Sequence, residues 1–223
     1  MKKTLQLLAL PALLAAAFAA QAQTAGSLLL RAGATTITPN VSSGDLTAPS
    51  LAGSKVDIGS STRLSGGVTY MVDDNLAIDL PLAVPFQHDI SGAGALAGVG
   101  KIADVKAVPA TLIAQWRFME PKASVRPYVG LGLTYAAFYG ARTNSTMTAI
   151  SGGTPSNPTT MTVDSKWAAT LQLGASFQLG GGWFVDACYT YTPLSTTAKL
   201  STGQTLDTKL DPSSVSLAVG MRF

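Results

Sequence analysis

The segment DVKAVPATLIAQWRF, Asp104 to Phe118, is followed by MEPKASV and then by RPYVGLGLTYAAFY, Arg126 to Tyr139. In the first segment Val108, Ala110, Leu112, Ala114, Trp116 and Phe118 share one face, while Ala107, Pro109, Thr111, Ile113, Gln115 and Arg117 share the other. In the second, Val129, Leu131, Leu133, Tyr135, Ala137 and Tyr139 alternate with Tyr128, Gly130, Gly132, Thr134, Ala136 and Phe138. Side chains alternate sides of a strand with period 2, so both segments read as long strands with one apolar, aromatic-tipped face. A soluble sandwich also alternates, but strands this long, ending in aromatics on the apolar face, fit a barrel in a membrane.

The pattern continues outward from this hairpin. Toward the N-terminus, residues 27–37, 62–72 and 76–86 alternate in the same way, the last with Leu76, Ile78, Leu80, Leu82, Val84 and Phe86 on the apolar face. Toward the C-terminus, residues 167–179, 183–191 and 215–223 do so, ending on an outward Phe223. Asp73-Asp74-Asn75, Met119 to Val125 and Gly180-Gly181-Gly182 are short turns, whereas residues 38–61, 87–101, 140–165 and 192–212 form long loops rich in small and polar residues. Long and short connections alternate strictly. The expectation is an all-β chain, an eight-stranded antiparallel transmembrane β-barrel with four long extracellular loops and three short periplasmic turns. Outward Tyr70, Trp116, Phe177, Trp183 and Phe223 would mark one membrane interface, and Phe86, Tyr139, Trp167 and Tyr191 the other.

The start of the chain agrees with export. Lys2 and Lys3 precede an apolar run from Leu5 to Ala20, and Ala20-Gln21-Ala22 puts small residues where a signal peptidase reads them. Residues 1–22 are expected to be a signal peptide, and residues 23–223 the barrel. Without those two lysines the 15 basic residues become 13 against 12 acidic ones, a net charge of +1 rather than +3, so the charge gives no reason to expect nucleic acid. The composition is 47% hydrophobic and only 12% charged, where a soluble domain usually has about 25% charged residues. A closed barrel reconciles apolar content with the lack of a membrane-length helix after the leader, because it satisfies its backbone internally and turns alternate residues to lipid. The lone cysteine, Cys188, is expected to be a small lumen-facing residue, and the lone histidine, His88, to order the second loop through hydrogen bonds. No cofactor and no metal site are expected.

Several short blocks carry a resemblance. Pro85-Phe86-Gln87-His88-Asp89-Ile90, Gly100-Lys101-Ile102, Val108-Pro109-Ala110-Thr111, Gln115-Trp116-Arg117-Phe118 and Arg126-Pro127-Tyr128-Val129-Gly130-Leu131-Gly132-Leu133-Thr134-Tyr135 with Phe138 together resemble the OmpW family of small outer-membrane barrels. The resemblance covers essentially the whole chain after the leader. Ala110 departs from it, since the family often has a second proline there, and so does Trp116, where tyrosine is usual. The resemblance implies an eight-stranded barrel with an apolar interior channel that passes small hydrophobic molecules across the lipopolysaccharide layer. It also implies that some relatives serve hydrocarbon uptake and others act as bacteriocin receptors.

The inward residues sort by height. Arg31, Asp79, Arg117, Asp186 and Arg222, with Gln115 and Gln178, fall near the periplasmic end and are expected to form a polar plug, either a gate or a network that merely fills a narrow barrel. Ile37, Ala83, Pro85, Ala107, Pro109, Ala136 and Phe138 fall toward the long loops and are expected to line a hydrophobic lumen, or else to be plain barrel core. Pro81 and Pro109 lack backbone donors on neighbouring strands, which marks a candidate lateral opening. The expected function is a narrow hydrophobic channel or pocket for passive uptake of small apolar molecules. A structural or receptor-type barrel acting through its loops is the alternative, and an enzyme is disfavoured because His88 lacks an evident serine and acid. Expected partners are outer-membrane lipid and lipopolysaccharide, small hydrophobic solutes, and the barrel-insertion machinery through Phe223. The barrel is expected to be a monomer.

Overall fold

A computed structural model describes residues 22–223; the signal peptide expected over residues 1–22 lies, but for Ala22, outside the described residues. The elements in chain order are β1 (Leu28–Thr38), β2 (Ser42–Ser43), β3 (Ser54–Ile58), β4 (Ser61–Met71), β5 (Leu76–Ala83), β6 (Phe86–Gly94), β7 (Lys101–Arg117) and β8 (Val125–Thr143). They continue with α1 (Ser145–Ile150), β9 (Met161–Val163), β10 (Lys166–Gly180), β11 (Trp183–Tyr191), β12 (Ser195–Leu200), β13 (Thr205–Lys209) and β14 (Ser213–Arg222). Neighbouring strands pair antiparallel in the cycle β1-β4-β5-β7-β8-β10-β11-β14, and β14 returns to β1. β6 prolongs the stave that β5 begins, so the sheet closes as an eight-stranded barrel, the arrangement that lets strands cross lipid.

The outer wall follows from the period-2 pattern. Leu64, Leu112, Leu131, Leu173, Leu179 and Leu217 are exposed on it, with Trp116, Trp167 and Trp183. Tyr135 packs against Trp167 on this surface, ring centroids 4.9 Å apart. A water-facing surface this greasy would be a liability, whereas a hydrocarbon-facing one needs it.

Two readings of the third stave require correction. Phe86, expected outward, is 1% exposed and turned inward. Asp79 pairs with Ile113, but after Val84 and Pro85 the stave resumes with Phe86 opposite Ala107, one residue out of step. A one-residue slip moves every following side chain to the other face, which brings in Phe86, His88 and Ile90. The second correction concerns length. Residues 87–101 are not one long loop, because β6 runs to Gly94 and β7 starts at Lys101, forming a hairpin that β3 joins from outside.

The other long loops are also partly built. β2, β13, β12 and β9 form a separate four-stranded sheet. Its apolar residues, among them Met161, Leu200 and Leu206, pack with Leu46, Ile90, Ile102, Val105 and Met147 into one cluster. The extracellular end is therefore a folded cap with its own apolar interior.

Candidate functional site

The lumen divides into a floor, a belt and an upper chamber. The floor lies toward the short turns. Arg31 Nη1 and Nη2 donate to the two oxygens of Asp79 at 2.7 and 2.9 Å, and Thr69 Oγ1 donates to Asp79 Oδ1 at 2.6 Å. Across the lumen, Tyr128 OH and Ser176 Oγ donate to the two oxygens of Asp186 at 2.8 and 2.7 Å, and Arg31 Nε lies 4.0 Å from that carboxylate. Arg117 donates to Ser176 and Gln115, Gln115 to Gln172, and Gln172 to Asp79, which closes a ring around the barrel. The Arg117 guanidinium also sits 4.6 Å over the Tyr128 ring. Buried charges are tolerable when their hydrogen-bonding capacity is met, and every stave except β14 supplies a partner here.

Of the expected plug residues, Arg31, Asp79, Arg117 and Asp186 meet in this network. Arg222 does not; it is buried on β14 but joins none of these ion pairs, and its Nη1 has no hydrogen-bond partner among the described residues. Gln178 likewise stays outside, its Nε2 without a partner there. Sequence parity assigned both to the inner face, but facing inward does not place a carboxylate within reach. Arg126 and Gln23 were not anticipated. Arg126 donates to the carbonyls of Gln23 and Asp74 at 2.9 and 2.6 Å, and the Gln23 side-chain oxygen accepts from Arg117 at 2.7 Å. Arg126 shares its parity with inward Tyr128, so the signal was present.

Above the floor runs a belt of hydroxyls. Thr35 bonds to both Ser65 and Ser216 at 2.7 Å, and Thr190 bonds to Ser214 at 2.5 Å. Thr111, Thr134, Thr170 and Thr192 form a second run, with spacings of 2.8, 2.5 and 2.9 Å. These groups, with Arg31, Gln172 and Asp186 below, line a space of about 130 Å³. The third stave adds no hydroxyl to the belt and instead presents Pro81, Leu82, Ala83 and Phe86 to that space.

The upper chamber, about 110 Å³ and partly open, is walled almost wholly by apolar residues of the barrel rim and the cap. Ile37, Pro109 and Ala136 line both spaces, Ala107 and Phe138 line the upper, and Ala83 lines the lower. Pro85 lines neither and is exposed, a correction that follows from the same irregularity that turned Phe86 inward. Cys188 faces the lower space. His88 reaches the upper one, with Nδ1 2.8 Å from the Gly59 carbonyl. It sits on the extracellular extension opposite Val105, beyond outward Tyr139. Burial pushes its imidazole below the usual range; the Gly59 carbonyl opposes this, Arg63 adds to it, and Asp89 opposes it.

The barrel wall is incomplete beside the lower space. β5 keeps its ladder to β4 up to Ala83, but pairs with β7 only from Leu76 to Asp79. Pairing to β7 resumes at Phe86, leaving Leu80 to Pro85 and Val108 to Leu112 unzipped. Successive residues of an antiparallel strand point their N–H groups at opposite neighbours. Val84 N donates to Leu64 and Arg117 N to Asn75, so by alternation Pro81 and Pro109 would both have aimed a donor into this one seam. A proline at each position removes it.

Comparison with known proteins agrees with this architecture. The OmpW family matches residues 24–223. "Outer membrane protein W" of Salmonella typhimurium is 35% identical over 100% of both chains. The crystal structure of outer membrane protein OprG from Pseudomonas aeruginosa superposes with a TM-score of 0.81 at 27% identity, covering 91% of this chain and 98% of that one. A more distant relative, "Dibenzothiophene metabolism operon protein PahQ" of Pseudomonas aeruginosa, is 24% identical over 77% of this chain and 76% of its own.

Proposed function

This chain belongs to the OmpW family of the bacterial outer membrane, and we propose that its barrel is a passive conduit taking small apolar molecules from the cell surface into the membrane. The observation that carries this is the joining of three parts: a partly open apolar chamber beneath the cap, an ionic floor, and a seam in the wall between them. A solute leaving water for the chamber gains roughly 25 cal/mol per Å² of apolar area removed from water. The floor, a network of charged and hydrogen-bonded side chains, offers it no such surface, so the route turns sideways through the seam beside Pro81 and Pro109. The name of PahQ refers to dibenzothiophene, itself a small apolar molecule, which favours the same class of cargo here.

The reading is of a conduit and not an enzyme: the one hydrogen-bond partner of the His88 ring among the described residues is the Gly59 carbonyl, and no serine pairs with it. The long loops form a cap around the chamber, which favours transport over a purely loop-borne receptor role. Phe223, outward beside Leu28 where β1 and β14 close the barrel, fits a C-terminal signal for insertion machinery. Lipid and lipopolysaccharide are the proposed surroundings, and a closed sheet needs no second copy, so the barrel is proposed to act as a monomer.

The test places the refolded barrel in liposomes and follows a small apolar fluorophore beside a sugar acid of similar size. The apolar probe should pass selectively, and Ala136→Asp, which puts an unpaired carboxylate where the two spaces meet, should slow it by about tenfold or more. Equal rates for both probes, matching bare lipid, would remove the conduit reading.

A further inference from the structure

The hydroxyl belt is more polar than a path for pure hydrocarbon requires. It lies between an apolar chamber and an ionic floor, spans β4-β1-β14-β11 and then β10-β8-β7, and opens only on the third stave, where the wall is unzipped. We propose that this belt is a head-group site, and that the preferred cargo is a neutral, singly oxygenated amphiphile such as a medium-chain alcohol or ketone. Its apolar tail would lie in the upper chamber and its oxygen against the belt, next to the seam. This rests on the conduit reading and narrows it to a class of solute.

The hydrogen-bond count supports the assignment. Each hydroxyl brings one hydrogen and two lone pairs. The run of three joined through Thr35 uses two hydrogens, the run of four through Thr134 and Thr170 uses three, and the Thr190–Ser214 pair uses one. One hydrogen is therefore left over in each run, and the direction of each run is free to reverse, so the belt can present a donor or an acceptor. An alcohol oxygen drawn out of water into an apolar chamber loses hydrogen bonds at a cost that an alkane never meets, and the belt can replace them. A charged head finds no equivalent. Arg31, the cation nearest the belt, has both Nη groups committed to Asp79 and Thr69, and Nε faces Asp186. The floor's two carboxylates would also repel a carboxylate head.

The experiment uses the barrel in lipid nanodiscs loaded with an apolar naphthylamine fluorophore, displaced in turn by decan-1-ol, decane and decanoate, with protein-free nanodiscs correcting for partition into lipid. Decan-1-ol should displace about tenfold more effectively than decane, the weight of roughly one net hydrogen bond, and decanoate should be the weaker of the two oxygenated competitors. Thr134→Val with Thr170→Val, near-isosteric and checked for folding by heat-dependent gel mobility, should pull the alcohol-to-alkane ratio toward one. Thr190→Val with Ser214→Ala makes the same test on the opposite wall, should the first pair not fold. Equal displacement by alcohol and alkane, or a ratio that neither pair moves, would overturn the head-group site while leaving the conduit standing. Failure of the fluorophore and of every competitor to bind would overturn both.

Discussion

The floor and the upper chamber are built on the same eight staves, yet they obey opposite rules. The floor concentrates two carboxylates and three guanidiniums in a space from which they cannot escape, and it holds because nearly every donor has a named acceptor. The chamber's walls are mostly apolar residues lent by both the barrel and the extracellular cap. Side-chain choice therefore turns one cylinder into an ionic end and an apolar one. The floor's stability rests on pairing, so removing one partner harms it more than removing two. The function proposed for the chamber rests on the lack of charge, so adding one is what should harm it.

The sharpest way to break this contrast is at Arg31. Arg31→Ala leaves Asp79 uncompensated in the lumen and should cost about 3–5 kcal/mol of barrel stability, read from urea unfolding in lipid. Arg31→Met combined with Asp79→Leu removes both charges and should recover most of that loss. If the double variant were as unstable as the single one, the floor would be held by its shape and not by charge pairing.

The seam gives a smaller and more specific effect. Pro81→Thr together with Pro109→Val returns a backbone donor to each side of the gap between β5 and β7. The ladder should then extend beyond Asp79 and slow passage of an apolar probe by several-fold, with the floor and the fold unchanged. An unaltered rate in a barrel whose amide exchange shows new protection at the seam would place the exit elsewhere.

How much of this was legible in the chain depends on what each feature is made of. The staves were readable because alternation is local: Leu112, Ala114 and Trp116 announce their face within five residues. The floor was partly readable, since parity put Arg31, Asp79, Arg117 and Asp186 inside, but the same parity put Arg222 inside without showing that no carboxylate would meet it. The slip at Pro85 was hidden because register belongs to a pair of strands; nothing in Val84-Pro85-Phe86 alone says that Phe86 will face Ala107 and not the residue beside it. The cap was hidden by composition. Its strands are set among Ser, Thr and Gly, and the alternating Leu206, Thr208 and Leu210 were the faint signal that this stretch would fold.

The smallest effect should come from His88, the one titratable residue in the wall of the upper chamber. Its imidazole joins β6 to the β3–β4 connection through the Gly59 carbonyl, and burial holds its proton affinity below the usual value of 6.5. In the unfolded chain the same ring takes a proton near 6.5. A group with a depressed folded affinity binds more protons unfolded than folded, so its contribution is fully present above that pH and declines as the pH falls through it. The decline ends once the folded ring is protonated too. Local opening of β6, followed by amide exchange at Asp89 and Ile90, should therefore increase modestly between about pH 7 and pH 5, while the floor residues stay protected throughout. His88→Asn, which keeps a hydrogen-bonding group but cannot titrate, should flatten that dependence. If the variant opened with the same pH profile, the sensitivity would belong to the carboxylates of the cap and not to the chamber wall.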